Sequence, residues 1–310
     1  MKGLEDMSEK QDFIEMMNDW GFSVNARINF NNFISAVETE DGLISAVQKI
    51  YQIIDDIVLE KEASQFKTNL QIGTKYYRAR VIDPIDDNSL EKGIGKTLDG
   101  KFSGYNDVNS REPVLGISGE GRNNIVGASY LYVASNPETA CMEIKSQFGD
   151  LISLAEFELT KPLSIIDFAS EKTFQRKDTE LYGMSMGVFF SELMLRFFEP
   201  VRGENAYRAT QIISDYLRKT GVDGIKYRSF LSPGGCNFTI FNSHPSYIKF
   251  CDSRVLIHKQ ANHSFWDFNN DTEIMSNRDA NLLVYEQNIA EKHKKHLCQR
   301  FRMIKETINN

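Results

Sequence analysis

The stretch GRNNIVGASYLYVASNPETACMEI, residues 121–144, decides the fold. It opens with a polar turn at 121–124 and continues as a run of strand formers, SYLYVA, at 129–134. A helical pattern follows at 138–148. A turn, a strand and a helix in succession predict mixed α and β structure in this part of the chain.

The helix in this stretch carries one candidate functional residue. Pro137 suits its first turn, where the missing N–H of proline is not needed. Glu143 follows Ala140 by three residues and Ile144 lies next to it, so the Glu143 carboxylate leans toward the apolar face. A solvated surface glutamate is the alternative interpretation.

Periodic patterns extend in both directions from this stretch. Strand-like runs occur at 75–82, 152–159, 165–168, 224–227 and 237–241, and helical patterns at 13–22, 41–60, 181–198, 206–220 and 286–305. Residues 83–121 form a long glycine-bearing segment, and such loops are often functional. The patterns predict three regions: a helical N-terminal region at 1–70, an α+β domain with a mixed β core and flanking helices at 71–255, and a polar, helical C-terminal tail at 256–310.

Charge and composition exclude several classes of protein. The 310 residues include 36 basic and 43 acidic side chains, for a net charge of −7, and no direct nucleic-acid binding is expected. The most apolar stretch, residues 186–198, is shorter than the ~20 residues that span a membrane. The four cysteines form no CxxC pair and the N-terminus has no signal-peptide pattern, which favours the reducing cytoplasm.

Common motifs for cofactors and metals are absent from the sequence. There is no GxxxxGK[ST], no GxGxxG after a strand and no GxSxG elbow. His293 and His296 lack the HExxH frame of a zinc site, so no metal is expected. What remains is a set of dispersed polar residues.

Three segments contribute those residues. Arg78 and Arg80 alternate along the strand 75–82, so both face the same side of it. Their guanidinium groups are candidates for binding phosphate. The alternative interpretation is that they are edge residues of a sheet whose charged groups reach the solvent. Arg122 lies in the polar turn at 121–124. Ser229 follows the run GIKY and precedes Ser232 in a Pro-Gly turn.

Taken together, YYRAR at 76–80, the stretch at 121–144 and VDGIKYRSFLSPGGCNFTIF at 222–241 resemble the RES-domain family, named for an arginine, a glutamate and a serine. The resemblance covers about residues 75–250. It implies an ADP-ribosyltransferase-like fold and an enzyme that consumes NAD⁺ as its substrate, with no separate cofactor. Several family members are bacterial toxins that are paired with an antitoxin protein.

The resemblance also assigns residues. It implies Arg78, Glu143 and Ser229 as catalytic residues, with Ser232 as a close competitor for the serine. It implies a binding set for NAD⁺ made of Arg78, Arg80, Arg122, Asn123 and Tyr132. Asn123 departs from the family pattern, which often has tryptophan there, and this affects the packing of the pocket more than the chemistry.

The implied chemistry is cleavage of the nicotinamide–ribose bond. Nicotinamide leaves NAD⁺ as a neutral molecule, so no general acid is needed. Glu143 would stabilise the positive charge that develops on the ribose, and the arginines would hold the pyrophosphate. Tyr132 would stack on a ring and Ser229 would hydrogen-bond the ribose or the amide.

Several alternatives stay open at this point. As a toxin, the enzyme would cleave NAD⁺ by hydrolysis or phosphorolysis and arrest growth. Alternatively, it would transfer ADP-ribose to a protein. A third alternative is a binding module without catalytic activity. RNA cleavage is disfavoured because Arg254 and His258 are separated by three residues, fewer than helical nucleases of the HEPN type require. Expected partners are NAD⁺ and a cognate antitoxin but no membrane, and self-association is left open.

Overall fold

The chain contributes three separate segments to each of two units. The computed structural model describes residues 28–55, 66–82, 95–96, 102–147, 150–169, 193–194, 196–197, 207–258, 264–267 and 272–275. The first unit draws on Met1–Thr74, Glu112–Val133 and Leu159–Tyr247. The second draws on Lys75–Arg111, Ala134–Glu158 and Ile248–Asn310.

The described residues form five helices and twelve strands with defined bounds, interspersed along the chain. The helices are α1 (residues 28–39), α2 (Leu43–Ile54), α3 (Asp107–Ser110), α4 (Pro137–Glu143) and α5 (Arg208–Lys219), and residues 193–194 and 196–197 are also helical. The strands are β1 (Lys67–Leu70), β2 (Lys75–Val81), β3 (Gly95–Lys96), β4 (Phe102–Ser103), β5 (Leu131–Ala134), β6 (Leu151–Leu159), β7 (Leu163–Asp167), β8 (Gly224–Arg228), β9 (Cys236–Ile240), β10 (Ile248–Ile257), β11 (Ser264–Asp267) and β12 (Thr272–Met275).

The first unit contains a mixed sheet in the order β1-β7-β8-β9-β5. β7 and β8 are parallel, whereas β1 pairs with β7 and β9 with β8 in antiparallel register. Strand β7 is apolar on both faces, with Leu163, Ile165 and Ile166 fully buried. A parallel pair needs cover on both faces, which explains this run of apolar residues.

Helices α1, α2 and α5 build the core of the first unit against β7 and β8. The predicted apolar stripe of α2 is confirmed over Leu43–Ile54, with Ile50 and Ile54 fully buried in that core. Tyr51 of α2 stacks on Tyr216 of α5 with ring centroids 3.8 Å apart. The two helices are therefore fixed to each other by apolar burial and by ring stacking.

The second unit is organised by β2, which pairs with β6 in antiparallel register over its whole length. The strand order is β2-β6-β10, and α4 packs on β2. Ala79 of β2 and Ala140 of α4 share one apolar cluster with Ile152 and Leu154 of β6. Small side chains at this contact let the helix approach the strand closely.

The expected α+β class with a mixed β core and flanking helices is confirmed. Strands were expected at β2 and at β5 to β9, and helices at α2, α4 and α5, and all are present. Helix α1, strand β1 and strand β10 were not predicted. The centre of strand β10, residues 252–254, is polar, and its buried Ser253 is accommodated because it donates a hydrogen bond to the Tyr105 carbonyl at 2.7 Å.

The expected helical tail is wrong for part of its length. Residues 264–267 and 272–275 pair as antiparallel strands β11 and β12. The local sequences SFWD and TEIM contain aromatic and β-branched residues, which favour strands over the helix suggested by the polar composition. The helices expected at 13–22 and 286–305 lie outside the described residues.

We expect Ile50→Ala to lower the free energy of unfolding by about 2–5 kcal/mol, because it leaves a cavity at a fully buried position of α2. Ile44→Ala on the same helix is the matched control, since Ile44 is 78% exposed and its loss should cost less than about 0.5 kcal/mol. Urea unfolding followed by circular dichroism measures both. Equal losses for the two variants would contradict the described packing of α2.

Candidate functional site

Arg122 lies in a loop, residues 119–124, that we name the Arg122 loop. Its guanidinium carbon lies 5.2 Å from the ring centroid of Tyr207 and 6.0 Å from that of Tyr227. Its Nη1 donates a hydrogen bond to the Arg196 carbonyl at 3.0 Å. Two aromatic rings and a carbonyl thus hold the cation of a half-buried side chain in one place.

Asn123 connects the Arg122 loop to the interior of the first unit. The residue is 1% exposed. Its Nδ2 donates to Thr239 Oγ1 at 2.5 Å, and its Oδ1 lies 3.2 Å from the Ser214 hydroxyl, which also has the Thr210 carbonyl as a nearer acceptor at 2.6 Å. The side chain of Asn123 therefore anchors the loop to β9 and α5, and its contact with a substrate stays a prediction.

Tyr132 supports the same loop from strand β5. Its hydroxyl donates to Asn124 Oδ1 at 2.7 Å and accepts a hydrogen bond from the backbone N–H of Asn123 at 3.0 Å. Burial raises the pKa of Tyr132 above the ordinary range of a phenol, so the hydroxyl keeps its proton. The predicted stacking of its ring on a substrate stays a prediction.

Gly121 makes this arrangement sterically feasible. A Cβ atom at this position would lie 2.4 Å from Asn124 Oδ1 and 2.9 Å from the Tyr132 hydroxyl. Both distances are shorter than a carbon–oxygen contact allows. The glycine before Arg122 is thus required for the hydrogen bond between Asn124 and Tyr132.

Ser229 lies in the turn that joins β8 to β9 in the first unit. Its Oγ accepts hydrogen bonds from the N–H groups of Ser232 and Leu231, at 3.0 and 3.2 Å, and its own N–H donates to the Gly235 carbonyl at 2.9 Å. Ser229 and Ser232 are 4% and 5% exposed. The hydroxyl oxygen of Ser229 organises the turn, and the choice between the two serines stays a prediction.

Arg78 and Arg80 occupy one face of β2 in the second unit. Ala79 between them faces α4, so the two arginines lie on the opposite face of the strand. Arg80 Nη2 donates to the Arg111 carbonyl at 2.5 Å, which gives Arg80 a structural contact in the segment before β5. Arg78 is half-buried and lies opposite Ala155 of β6.

Glu143 is the last residue of α4 and is half-buried. The helix is capped at its start by Asn136, whose side chain accepts a hydrogen bond from the Thr139 N–H at 2.8 Å. A carboxylate in the last turn is unfavourable for a helix, because the carbonyl end carries partial negative charge. Helix stability therefore gives no reason for a glutamate at position 143.

Other types of site are not formed by the described residues. Among them, no group of three or more histidine, cysteine, aspartate or glutamate side chains is placed to bind a metal ion. Burial raises the pKa values of the described thiols Cys141, Cys236 and Cys251, which disfavours the nucleophilic thiolate. None of the described helices is long and apolar enough to cross a membrane.

Residues that hold the Arg122 loop were missed by the sequence analysis. Asn124 donates from Nδ2 toward the carbonyls of Gly119 and Ala128 at 3.0 and 2.8 Å, and Tyr207 and Tyr227 flank the guanidinium. A signal was present for Tyr207, which lies at the start of a helix with polar residues on one stripe. For Tyr227, the sequence showed only that it lies in a strand and gave no indication of a contact with Arg122.

The geometry defines the class as an α+β protein with an immobilised cationic loop beside a buried polar network. A model of the RES domain matches residues 106–261, just over half of the chain. The chain belongs to the RES-domain family. The matched range contains Arg122, Asn123, Tyr132, Glu143 and Ser229, whereas Arg78 and Arg80 precede it.

One solved structure similar to this chain is that of the M. tuberculosis MbcT–MbcA toxin–antitoxin complex. The sequences are 11% identical over 64% of this chain and 94% of that chain, with a TM-score of 0.34. No curated protein matches the chain.

We expect Gly121→Ala to destabilise the protein by about 1–3 kcal/mol, because its methyl group would separate Asn124 from Tyr132. Gly119→Ala is the matched control in the same loop, since its Cβ would meet no atom within 4 Å. Thermal unfolding of the two variants measures the difference. A Gly121→Ala protein as stable as Gly119→Ala would contradict the described loop.

A second prediction concerns alkaline pH. Tyrosine in the unfolded chain ionises near pH 10, whereas the pKa of Tyr132 in the folded protein is higher. The contribution of protonated Tyr132 to the free energy of unfolding is therefore complete below about pH 10 and declines as the pH rises further. Between about pH 9 and 11, the free energy of unfolding should fall more steeply for the wild type than for Tyr132→Phe, by up to ~1.4 kcal/mol per pH unit. Urea titrations at several pH values test this, and parallel slopes would refute it.

Proposed function

We propose that this protein is a RES-type toxin that depletes NAD⁺ in the cytoplasm by cleaving the nicotinamide–ribose bond. Membership of the RES-domain family supports the proposal. The observation that carries it is the fixed guanidinium of Arg122 above Tyr207. A dinucleotide pyrophosphate needs such a rigid fork, because an arginine that is already ordered loses little entropy when it binds.

Arg122 is therefore assigned to the pyrophosphate of NAD⁺. A guanidinium can donate two parallel hydrogen bonds to phosphate oxygens. Its Nη1 donates to the Arg196 carbonyl, which fixes the orientation of the side chain before a ligand binds. Arg78, which lies before the matched family range, is proposed as a second phosphate contact.

Glu143 is assigned to the ribose. When the bond between C1′ and the pyridinium nitrogen breaks, the electron pair goes to that nitrogen and nicotinamide leaves uncharged. The ribose acquires oxocarbenium-like positive charge, which a fixed carboxylate stabilises. Water or phosphate then adds to C1′, and water releases its proton to solvent. A carboxylate at the C-terminal end of α4 interacts unfavourably with the helix dipole, which is consistent with a functional rather than a structural role for Glu143.

The remaining residues are proposed as supports and contacts. Ser229 or Ser232 would hydrogen-bond the ribose or the nicotinamide amide from the turn between β8 and β9. Tyr132 and Asn123 would act chiefly by holding the Arg122 loop, and Arg80 by holding the segment at Arg111. A cognate antitoxin is the proposed protein partner, because several members of this family are toxins that are paired with one.

We expect purified protein to release nicotinamide from NAD⁺, and Glu143→Gln to lower kcat by about 10²–10³-fold, because the neutral amide stabilises positive charge poorly. Glu138→Gln is the matched control, since Glu138 is exposed in the first turn of the same helix and should retain activity within about twofold. Chromatography of nicotinamide measures the rates. Circular dichroism checks that both variants fold.

The product spectrum separates the mechanisms that share this bond cleavage. ADP-ribose in water indicates hydrolysis, its phosphate ester in phosphate buffer indicates phosphorolysis, and radiolabel on added protein indicates transfer. Wild-type protein that produces no nicotinamide under any of these conditions would refute the proposed activity. Glu143→Gln with wild-type turnover would refute the role of Glu143 alone.

A further inference from the structure

A polar stripe on α5 faces the Arg122 loop. It consists of Tyr207, which immediately precedes α5, and of Thr210, Gln211 and Ser214, at the spacing i, i+3, i+4 and i+7 that places residues on one side of a helix. Thr210, Gln211 and Ser214 are 3%, 4% and 0% exposed. Buried polar groups are costly unless they are hydrogen-bonded, so each must have a partner.

The partners are consecutive residues of the loop. Gln211 Nε2 donates to the Gly121 carbonyl at 2.9 Å and to Glu120 Oε1 at 3.0 Å. Both partners are acceptors, so the atom that faces them must be the amide nitrogen, and both of its hydrogens are used.

The hydroxyl of Thr210 donates to the carbonyl of Arg122 itself, at 2.5 Å. The carbonyl of Tyr207 lies 2.9 Å from the same hydroxyl, within the helix. A hydroxyl has one proton, and the shorter distance favours the bond to Arg122. The main chain on both sides of the guanidinium-bearing residue is thus tied to α5.

The opposite side of α5 is held rigidly. Ile213 and Leu217 are 1% and 0% exposed in the core shared with α1 and α2. Tyr216 stacks on Tyr51, and its hydroxyl donates to Asp55 Oδ1 at 2.6 Å. Helix α5 therefore joins the N-terminal helices to the Arg122 loop as one packed assembly within the first unit.

We propose that this stripe is the positioning element of Arg122: Thr210 and Gln211 fix the loop carbonyls, and Tyr207 supports the guanidinium. The inference rests on the proposed function, since it makes the stripe a determinant of NAD⁺ affinity. These residues act through Arg122 and do not touch the reacting bond. Their loss should weaken binding of the pyrophosphate and leave the cleavage step intact.

The test uses Thr210→Val, which keeps the shape of the side chain and removes its hydroxyl. We expect it to raise KM for NAD⁺ about fivefold, the effect of one net hydrogen bond, with kcat changed less than about twofold. Thr210→Ser restores the hydroxyl and should restore KM. Thr220→Val is the matched control, because the Thr220 hydroxyl donates to the Leu217 carbonyl at the far end of the same helix.

A double-mutant cycle distinguishes positioning from a purely structural role. In an Arg122→Ala background, Thr210→Val should no longer change KM, because the residue through which it acts has been removed. The same fivefold rise in that background would overturn the inference. A rise for Thr220→Val equal to that for Thr210→Val would also overturn it.

A second measurement does not depend on NAD⁺. Amide hydrogen exchange of residues 120–123 in the free full-length protein should be about fivefold faster in Thr210→Val than in the wild type or in Thr220→Val. Unchanged exchange would overturn the positioning role. Wild-type protein that exchanges as expected but releases no nicotinamide would refute the proposed activity while supporting the held loop.

Discussion

The hydrogen bonds from α5 to the carbonyls of Gly121 and Arg122 are the interactions on which the candidate site of the first unit depends. Main-chain carbonyls in a loop have no ladder to satisfy them, and α5 supplies donors at the required spacing. Because these donors are themselves buried, helix and loop must be in register for either to be stable. The position of the Arg122 guanidinium is a consequence of that register.

Around the Arg122 loop, the fully buried polar groups are neutral and the charged guanidinium is only half-buried. Amides and hydroxyls occupy the buried layer, whereas the guanidinium lies at its half-buried margin between aromatic rings. A cation placed deeper would lose more hydration energy than the rings restore. Neutral groups can therefore form the rigid support, and the charged guanidinium stays at the less costly, half-buried position.

Much of the fold could be predicted because its elements carry strong local patterns. The apolar stripe of α2 and the strand-forming runs of β2 and β5 are unambiguous over their own lengths. Strand β10 was missed because its polar Ser253 is satisfied by a distant carbonyl that no local pattern reveals. For the same reason, the sequence identified Arg122 as a candidate but not Gln211, whose role depends on a loop about ninety residues earlier in the chain.

Because the first unit is built from segments far apart in the sequence, it cannot be completed until late in the synthesis of the chain. The first unit requires residues from before Thr74 and residues up to Tyr247. Ribosomes add about 5–20 residues per second, so on the order of 10–30 s separate the appearance of these two points. For part of that interval, from the synthesis of Arg122 until α5 is complete at Lys219, the nascent chain has Arg122 but lacks the helix that positions its loop. The order of synthesis therefore makes the positioning of Arg122 a late event, which follows the synthesis of α5.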